Sequence, residues 1–102
     1  MPRELLPDRR PSISVDLEYG GLVYQVSVGF YPDGRVGEVF CHGAKVGSGM
    51  HGLLDDACVV MSLLLQHGVT PDVLQKSLGG EPADRRESAS IIGALAAMMG
   101  DL

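Results

Sequence analysis

The stretch FCHGAKVGSGMHGLLDDAC, residues 40–58, contains the point at which the hydrophobic pattern of this chain changes. Before it, apolar and polar residues alternate, which is typical of half-buried strands. From residue 52 onward, apolar residues recur every three or four positions, as they do on one face of a helix. The change of period predicts a sheet in the first part of the chain and helices in the rest.

Three strands are predicted before the loop that begins at residue 43. Apolar and polar residues alternate in SISVDLEY, so we expect a strand at about 12–19. The pair Gly20-Gly21 suits a hairpin turn to a second strand at about 22–31. The turn YPDGR then leads to a third strand at about 35–42. Such short turns predict an antiparallel meander.

The longest predicted helix spans about 51–67 and ends at Gly68, a residue type common just after helices. Its predicted buried face includes Leu54, Met61 and Leu64. Because this segment is apolar nearly all round, we expect the sheet to cover one side and another element to cover a second side.

Two shorter helices are predicted at about 71–78 and 88–99. The first has Thr70 as its expected N-cap and Pro71 at its first position, while the second is rich in small residues that allow close packing. Strands followed by helices define an α+β fold class.

The length of 102 residues fits one domain. Residues 1–11 contain three prolines and five charges, so we expect an extended arm that either frays or lies along a partner. Residues 12–102 are expected to form the single domain.

The amino terminus lacks the apolar region of a secretory signal, and no apolar stretch is long enough to cross a membrane, so a soluble, cytoplasmic protein is expected.

Composition restricts the partners. Eight Lys and Arg against 13 Asp and Glu give a net charge of −5, which argues against a nucleic-acid binder. An apolar content of 45% is high for so short a chain, and we expect a second copy to cover part of it in a homodimer. Cys41 and Cys58 are expected to be free thiols in the cytosol.

The loop at 43–52 has the residues of an anion or nucleotide site, because backbone amides at a helix start can bind anions. The candidate ligand-binding residues are Lys45, Gly47, Ser48, Gly49 and His51. The order of these residues matches no known phosphate-binding motif. The alternative is that the glycines only form the turn between sheet and helix.

No metal site, cofactor or catalytic residue is predicted. Cys41, His42, His51 and Cys58 lack the paired spacing of zinc ligands. A Cys41–His51 pair would also need an electropositive setting that the sequence does not establish.

Glu38 interrupts the third strand and needs a partner there. The candidates are Arg35 and Lys45, which are the nearest cations in the sequence. The expected role of this carboxylate is an ion pair that stabilises the sheet edge.

Several strings resemble a known family. The segments YPDGRVGEVF, AKVGS and VVMSLLLQHGV resemble the TSCPD domain found near the C-terminal end of cobalamin-dependent (class II) ribonucleotide reductases. Together with LPDRRPS and GGLVY, they are even more similar to short standalone TSCPD proteins of bacteria and phages. The literal string Thr-Ser-Cys-Pro-Asp does not occur in this chain.

The resemblance implies an accessory module of a nucleotide-reducing enzyme and does not imply catalysis, because the reductase barrel cannot fit in this length. The first functional hypothesis is therefore a non-catalytic accessory or protein-interaction module, whose partner is a ribonucleotide reductase or a host protein. The alternatives are a small anion or nucleotide sensor at loop 43–52, and a phage-encoded inhibitor of a host protein.

Overall fold

A computed structural model of the protein describes residues 2–43, 49–78 and 90–102. The strands come first, and they are β1 (Ser12–Tyr19), β2 (Leu22–Phe30) and β3 (Val36–His42). The helices described are α1 (Gly49–Gln66), α2 (Pro71–Ser77) and α3 (Ile91–Gly100). The predicted α+β class and order of elements are confirmed, with small differences at the ends of elements. The predicted start of the last helix, at 88, lies outside the described residues.

The strands form one antiparallel sheet in the order β1-β2-β3, so β2 is central. The β1–β2 hairpin turns at Gly20 and Gly21, which both have the positive φ that a tight hairpin turn requires. One face of β2 is buried through Tyr24, Val26 and Val28, as the alternation predicted. Val26 and Val28 pair with Cys41 and Val39 of β3, which are buried on the same face.

Helix α1 lies against β3, which is an edge strand of the sheet. Two polar side chains of α1, four residues apart, bind the backbone of that strand. The Ser62 hydroxyl accepts a hydrogen bond from the Val39 amide at 3.0 Å, and the Gln66 Nε2 donates one to the Gly37 carbonyl at 3.0 Å. These bonds pair two backbone groups at the free edge of β3, and they fix the rotation of α1 about its axis.

The rotation of α1 decides which of its apolar side chains enter the core. Leu54, Cys58, Met61 and Leu65 are nearly inaccessible and pack on the sheet. Their 4-3-4 spacing is that of one helix face.

A second apolar stripe lies one residue earlier along α1 and is open to solvent. Leu53, Val60 and Leu64 are 58%, 55% and 39% exposed. The prediction that Leu64 is buried is therefore wrong, because Leu65 and not Leu64 faces the sheet. The second cover expected for this helix is not found among residues 2–43, 49–78 and 90–102.

Helix α1 ends at Gln66, and Gly68 lies in the turn that stops it, as predicted. Gly68 has a φ of 95°, the Gly68 amide binds the Leu65 carbonyl, and the Val69 amide binds the Leu64 carbonyl. This is the Schellman arrangement, which needs a left-handed residue after the helix. Helix α2 begins at Pro71, and Thr70 is its N-cap residue, but the Thr70 side chain makes no capping hydrogen bond within the described residues.

Helix α3 completes the core. Ala94, Leu95, Ala96 and Ala97 are buried, and the helix packs on α2 and β1. Its small side chains are therefore used inside this chain, so α3 is a poor candidate for contact with another copy. In the part of the chain that is described, no helix is long and apolar enough to cross a membrane.

Two adjacent leucines of α1 test this packing. Leu65→Ala should lower the free energy of unfolding by about 2–5 kcal/mol, because it removes buried side-chain volume and leaves a cavity. Leu64→Ala should lower it by less than about 1 kcal/mol in dilute protein, because that side chain is partly hydrated already. Urea unfolding of both variants makes the comparison, and a larger loss for Leu64→Ala would mean that α1 is rotated differently.

Candidate functional site

The loop between β3 and α1 carries the predicted ligand-binding residues. Lys45, Gly47 and Ser48 lie outside the described residues. Gly49 is the first residue of α1 and is exposed, and His51 is half-buried in the first turn. The His51 Nε2 lies 3.4 Å from the Asp55 Oδ2, one turn further along the helix.

The start of α1 has space beside two glycines in the described part of the chain. A Cβ built on Gly49 or on Gly52 would meet no described residue within 4 Å, so packing against those residues requires neither glycine. The first turn of α1 has no acidic side chain, so its amides are not already matched by a carboxylate from that turn.

The two cysteines are free and buried, which argues against a reactive thiolate. Burial raises the pKa of Cys58 to about 11 and also raises the pKa of Cys41. No group of three or more His, Cys, Asp and Glu that could hold a metal ion occurs in the described ranges.

Glu38 has a partner that sequence proximity did not indicate. Its carboxylate accepts two hydrogen bonds from the Arg10 guanidinium, at 2.5 Å from Nε and at 3.1 Å from Nη2. This bonding raises the pKa of Arg10. The expected pair with Arg35 is wrong, because Arg35 binds Glu4 and Asp33 instead. The other expected partner, Lys45, lies outside the described residues.

The space for Glu38 is made by a glycine on the neighbouring strand. A Cβ on Gly29 would lie 2.3 Å from the Glu38 Oε2 and 2.7 Å from its Cγ. Gly29 is paired with Glu38 in the sheet, so the missing side chain lets the carboxylate lie across β2 toward Arg10.

The amino-terminal segment is held at a second place by Gln66. The Arg3 Nε donates to the Gln66 Oε1 at 2.6 Å, and the Glu4 amide donates to the Gln66 carbonyl at 2.8 Å. The Tyr31 hydroxyl also donates to the Glu4 carbonyl at 2.6 Å. The described part of the arm therefore lies on the sheet and on α1 of its own chain.

An apolar groove of about 620 Å³ lies between α1 and α2. Leu53, Val60 and Leu64 form one wall, and Val73 of α2 forms the other. Val73 is 52% exposed, so both walls present apolar surface to solvent. Such a surface is typical of a protein interface.

Sequence reasoning missed both the arm contacts and the groove. The Arg10–Glu38 pair joins residues 28 positions apart, so neither sequence proximity nor period could identify it. The groove could have been inferred from the two stripes of α1, since LL, VM and LL place an apolar residue on each stripe. The sequence alone does not say which stripe faces the sheet.

Comparison with known proteins identifies the family. The TSCPD domain family matches residues 6–102, so the chain belongs to this family and the resemblance expected from the sequence is confirmed. No solved structure matches the chain.

Curated relatives are similar to most of this chain. A vitamin B12-dependent ribonucleotide reductase of Rhodopirellula baltica is 40% identical over 72 residues, which cover 71% of this chain and 7% of that protein. The reductase of Streptantibioticus cattleyicolor is 37% identical over 67 residues, or 66% of this chain and 11% of that protein. The chain therefore corresponds to only about a tenth of the length of these relatives, or less.

The raised thiol pKa values predict slow chemistry at Cys41 and Cys58. At pH 8 both thiols should remain protonated and unreactive toward a disulfide reagent in the native protein, and should react within seconds once guanidinium unfolds it. Ellman titration measures both states. A thiol that reacts rapidly with the reagent in the native protein would show that one cysteine is accessible and activated.

The raised pKa of Cys58 also predicts that the protein loses stability in alkali. An unfolded cysteine ionises near pH 9, whereas folded Cys58 keeps its proton to about 11. The unfolded state therefore gains from ionisation that the folded state cannot match, and stability should fall as pH rises from 9 toward 11. Cys58→Ala, measured by urea unfolding, should show a smaller fall over this window.

Proposed function

We propose that this chain is a non-catalytic accessory module that acts by protein–protein contact beside a ribonucleotide reductase. The observation that carries the proposal is the apolar groove between α1 and α2. A solvent-exposed apolar surface of this kind is favourable only when a partner covers it. Membership of the TSCPD family supports a reductase as the protein beside which it acts.

Several properties of the described residues favour contact over chemistry. The buried thiols hold raised pKa values, Glu38 is neutralised by Arg10, and Asp33 and Glu4 are paired with Arg35. None of these groups is positioned as a free acid, base or nucleophile. The chain is also expected to form a homodimer through this groove when no reductase occupies it.

Binding to purified reductase tests the proposal. The chain should bind the vitamin B12-dependent ribonucleotide reductase of the same cell in biolayer interferometry, and should itself reduce no ribonucleotide when given vitamin B12 and a thiol reductant. Val73→Glu, in the groove, should weaken binding at least tenfold, because a charge would be buried at the contact.

Leu22→Glu is the matched control, because Leu22 is 57% exposed at the β1–β2 hairpin, compared with 52% for Val73 in the groove. It should bind the reductase like the wild type. Absence of binding by the wild-type chain, or reduction by the chain alone, would refute the proposal. Binding to a host protein in place of the reductase would support the inhibitor alternative.

A second candidate function, an anion or nucleotide sensor, is supported by the space beside Gly49 and Gly52, where no described residue would lie within 4 Å of an added Cβ. The proposed ligand lies among Lys45, Gly47, Ser48, Gly49 and His51. Nucleoside di- and triphosphates should then shift the amide resonances of Gly49 and His51, and the effect should weaken with salt. Lys45→Ala should reduce these shifts and leave the fold intact. If the wild-type amide resonances do not change when the nucleotides are added, the sensor is excluded.

A further inference from the structure

We propose that the groove between α1 and α2 holds the α1 helix of a second copy, packed antiparallel. The outer stripe of α1 is a seam of Leu53, Ala57, Val60 and Leu64, which all line the groove. The inference rests on the proposed function only in taking this groove as a contact surface, and it assigns the groove to a second copy when no reductase occupies it.

The spacing of the seam is what an antiparallel helix pair needs. Its residues are separated by 4-3-4 positions, the spacing of a coiled-coil seam. This spacing is the same when it is read in either direction along the helix, and its centre lies between Cys58 and Val59. A second α1 running in the opposite direction therefore places each seam residue opposite another seam residue.

The side chains match in this register. Leu53 faces Leu64 of the other copy at the two ends, and Ala57 faces Val60 near the centre, where smaller side chains let the helices approach. Leu53 and Val60 are more than half exposed in the single chain, so the contact removes apolar surface that nothing in the described residues covers.

The helix macrodipoles favour the antiparallel over the parallel arrangement. In an antiparallel pair the positive amino-terminal end of each α1 lies beside the negative carboxyl-terminal end of the other, whereas a parallel pair places like ends together.

The composition of the segment between α2 and α3 does not suit the groove. Residues 79–89, GGEPADRRESA, contain five charged side chains and no Leu, Ile, Val, Met or aromatic residue. A segment of this composition has little apolar surface to place against Val60 and Leu64. A second copy supplies an apolar helix of the right spacing.

Sedimentation velocity between about 1 and 500 µM tests the assembly. The wild type should pass from the 10.8 kDa chain to twice that mass as concentration rises. Association should strengthen with salt, because each copy carries a net charge of −5 and salt screens their repulsion. A wild type that stays monomeric throughout this range would overturn the proposal.

Two neighbouring valines give a matched pair of variants. Val60 lies on the seam and is 55% exposed, while Val59 lies off the seam and is 56% exposed. Val60→Glu should raise the dissociation constant at least tenfold, and Val59→Glu should leave it within about threefold of the wild type. Circular dichroism checks that both remain folded. An equal effect of the two variants would place the contact elsewhere.

Cysteine crosslinking tests the orientation. A mixture of Leu53→Cys and Leu64→Cys chains should form a mixed disulfide, because these positions face each other. Leu53→Cys alone should not crosslink, since its two copies would be about 16 Å apart along the axis. Crosslinking of Leu53→Cys alone, as efficient as that of the mixture, would indicate a parallel pair and overturn the register.

The outcomes separate this inference from the proposed function. A monomer that binds the reductase through Val60 would assign the groove to the reductase and overturn only the second-copy proposal. A dimer with the predicted variant effects that does not bind the reductase would leave the second-copy proposal standing and refute the reductase contact.

Discussion

The hydrogen bonds from Ser62 and Gln66 to the edge of β3 determine what this small domain presents to its surroundings. They fix the rotation of α1, so that the stripe containing Cys58 and Leu65 enters the core. The equally apolar stripe containing Val60 and Leu64 is then left outside. A sheet of three strands has one face for the helices, and α3 occupies the remainder of it beside β1. The exposed stripe is thus a consequence of the fold and its most distinctive surface.

Gln66 also connects this constraint to the amino-terminal segment. Its side chain binds the Gly37 carbonyl and Arg3, while its backbone carbonyl accepts the Glu4 amide. The Arg10–Glu38 pair holds the other end of the segment against the sheet. The family match begins at residue 6, so this segment overlaps the domain that is shared with ribonucleotide reductases. None of the described arm residues lines the groove between α1 and α2.

The sequence was sufficient for the elements and their order, because period and turn chemistry are local. Gly20-Gly21, Gly68 and Pro71 each mark an end that the structure confirms. Leu64 was misplaced because α1 has two neighbouring stripes of equal spacing, and only the partners of Ser62 and Gln66 distinguish them. Arg10 was missed as the partner of Glu38 because the tertiary fold, and not sequence distance, brings them together. The predicted ligand residues Lys45, Gly47 and Ser48 lie outside the described residues, so that site stays a prediction.

The central claim is that the outer stripe of α1 is a contact surface. Methyl NMR with a soluble paramagnetic agent measures this most directly, because it reports the solvent access of individual side chains. The account predicts that raising the protein from about 10 to 500 µM shields the methyl groups of Val60 and Leu64 and leaves those of Val59 accessible. Equal accessibility of Val59 and Val60 at both concentrations would contradict it.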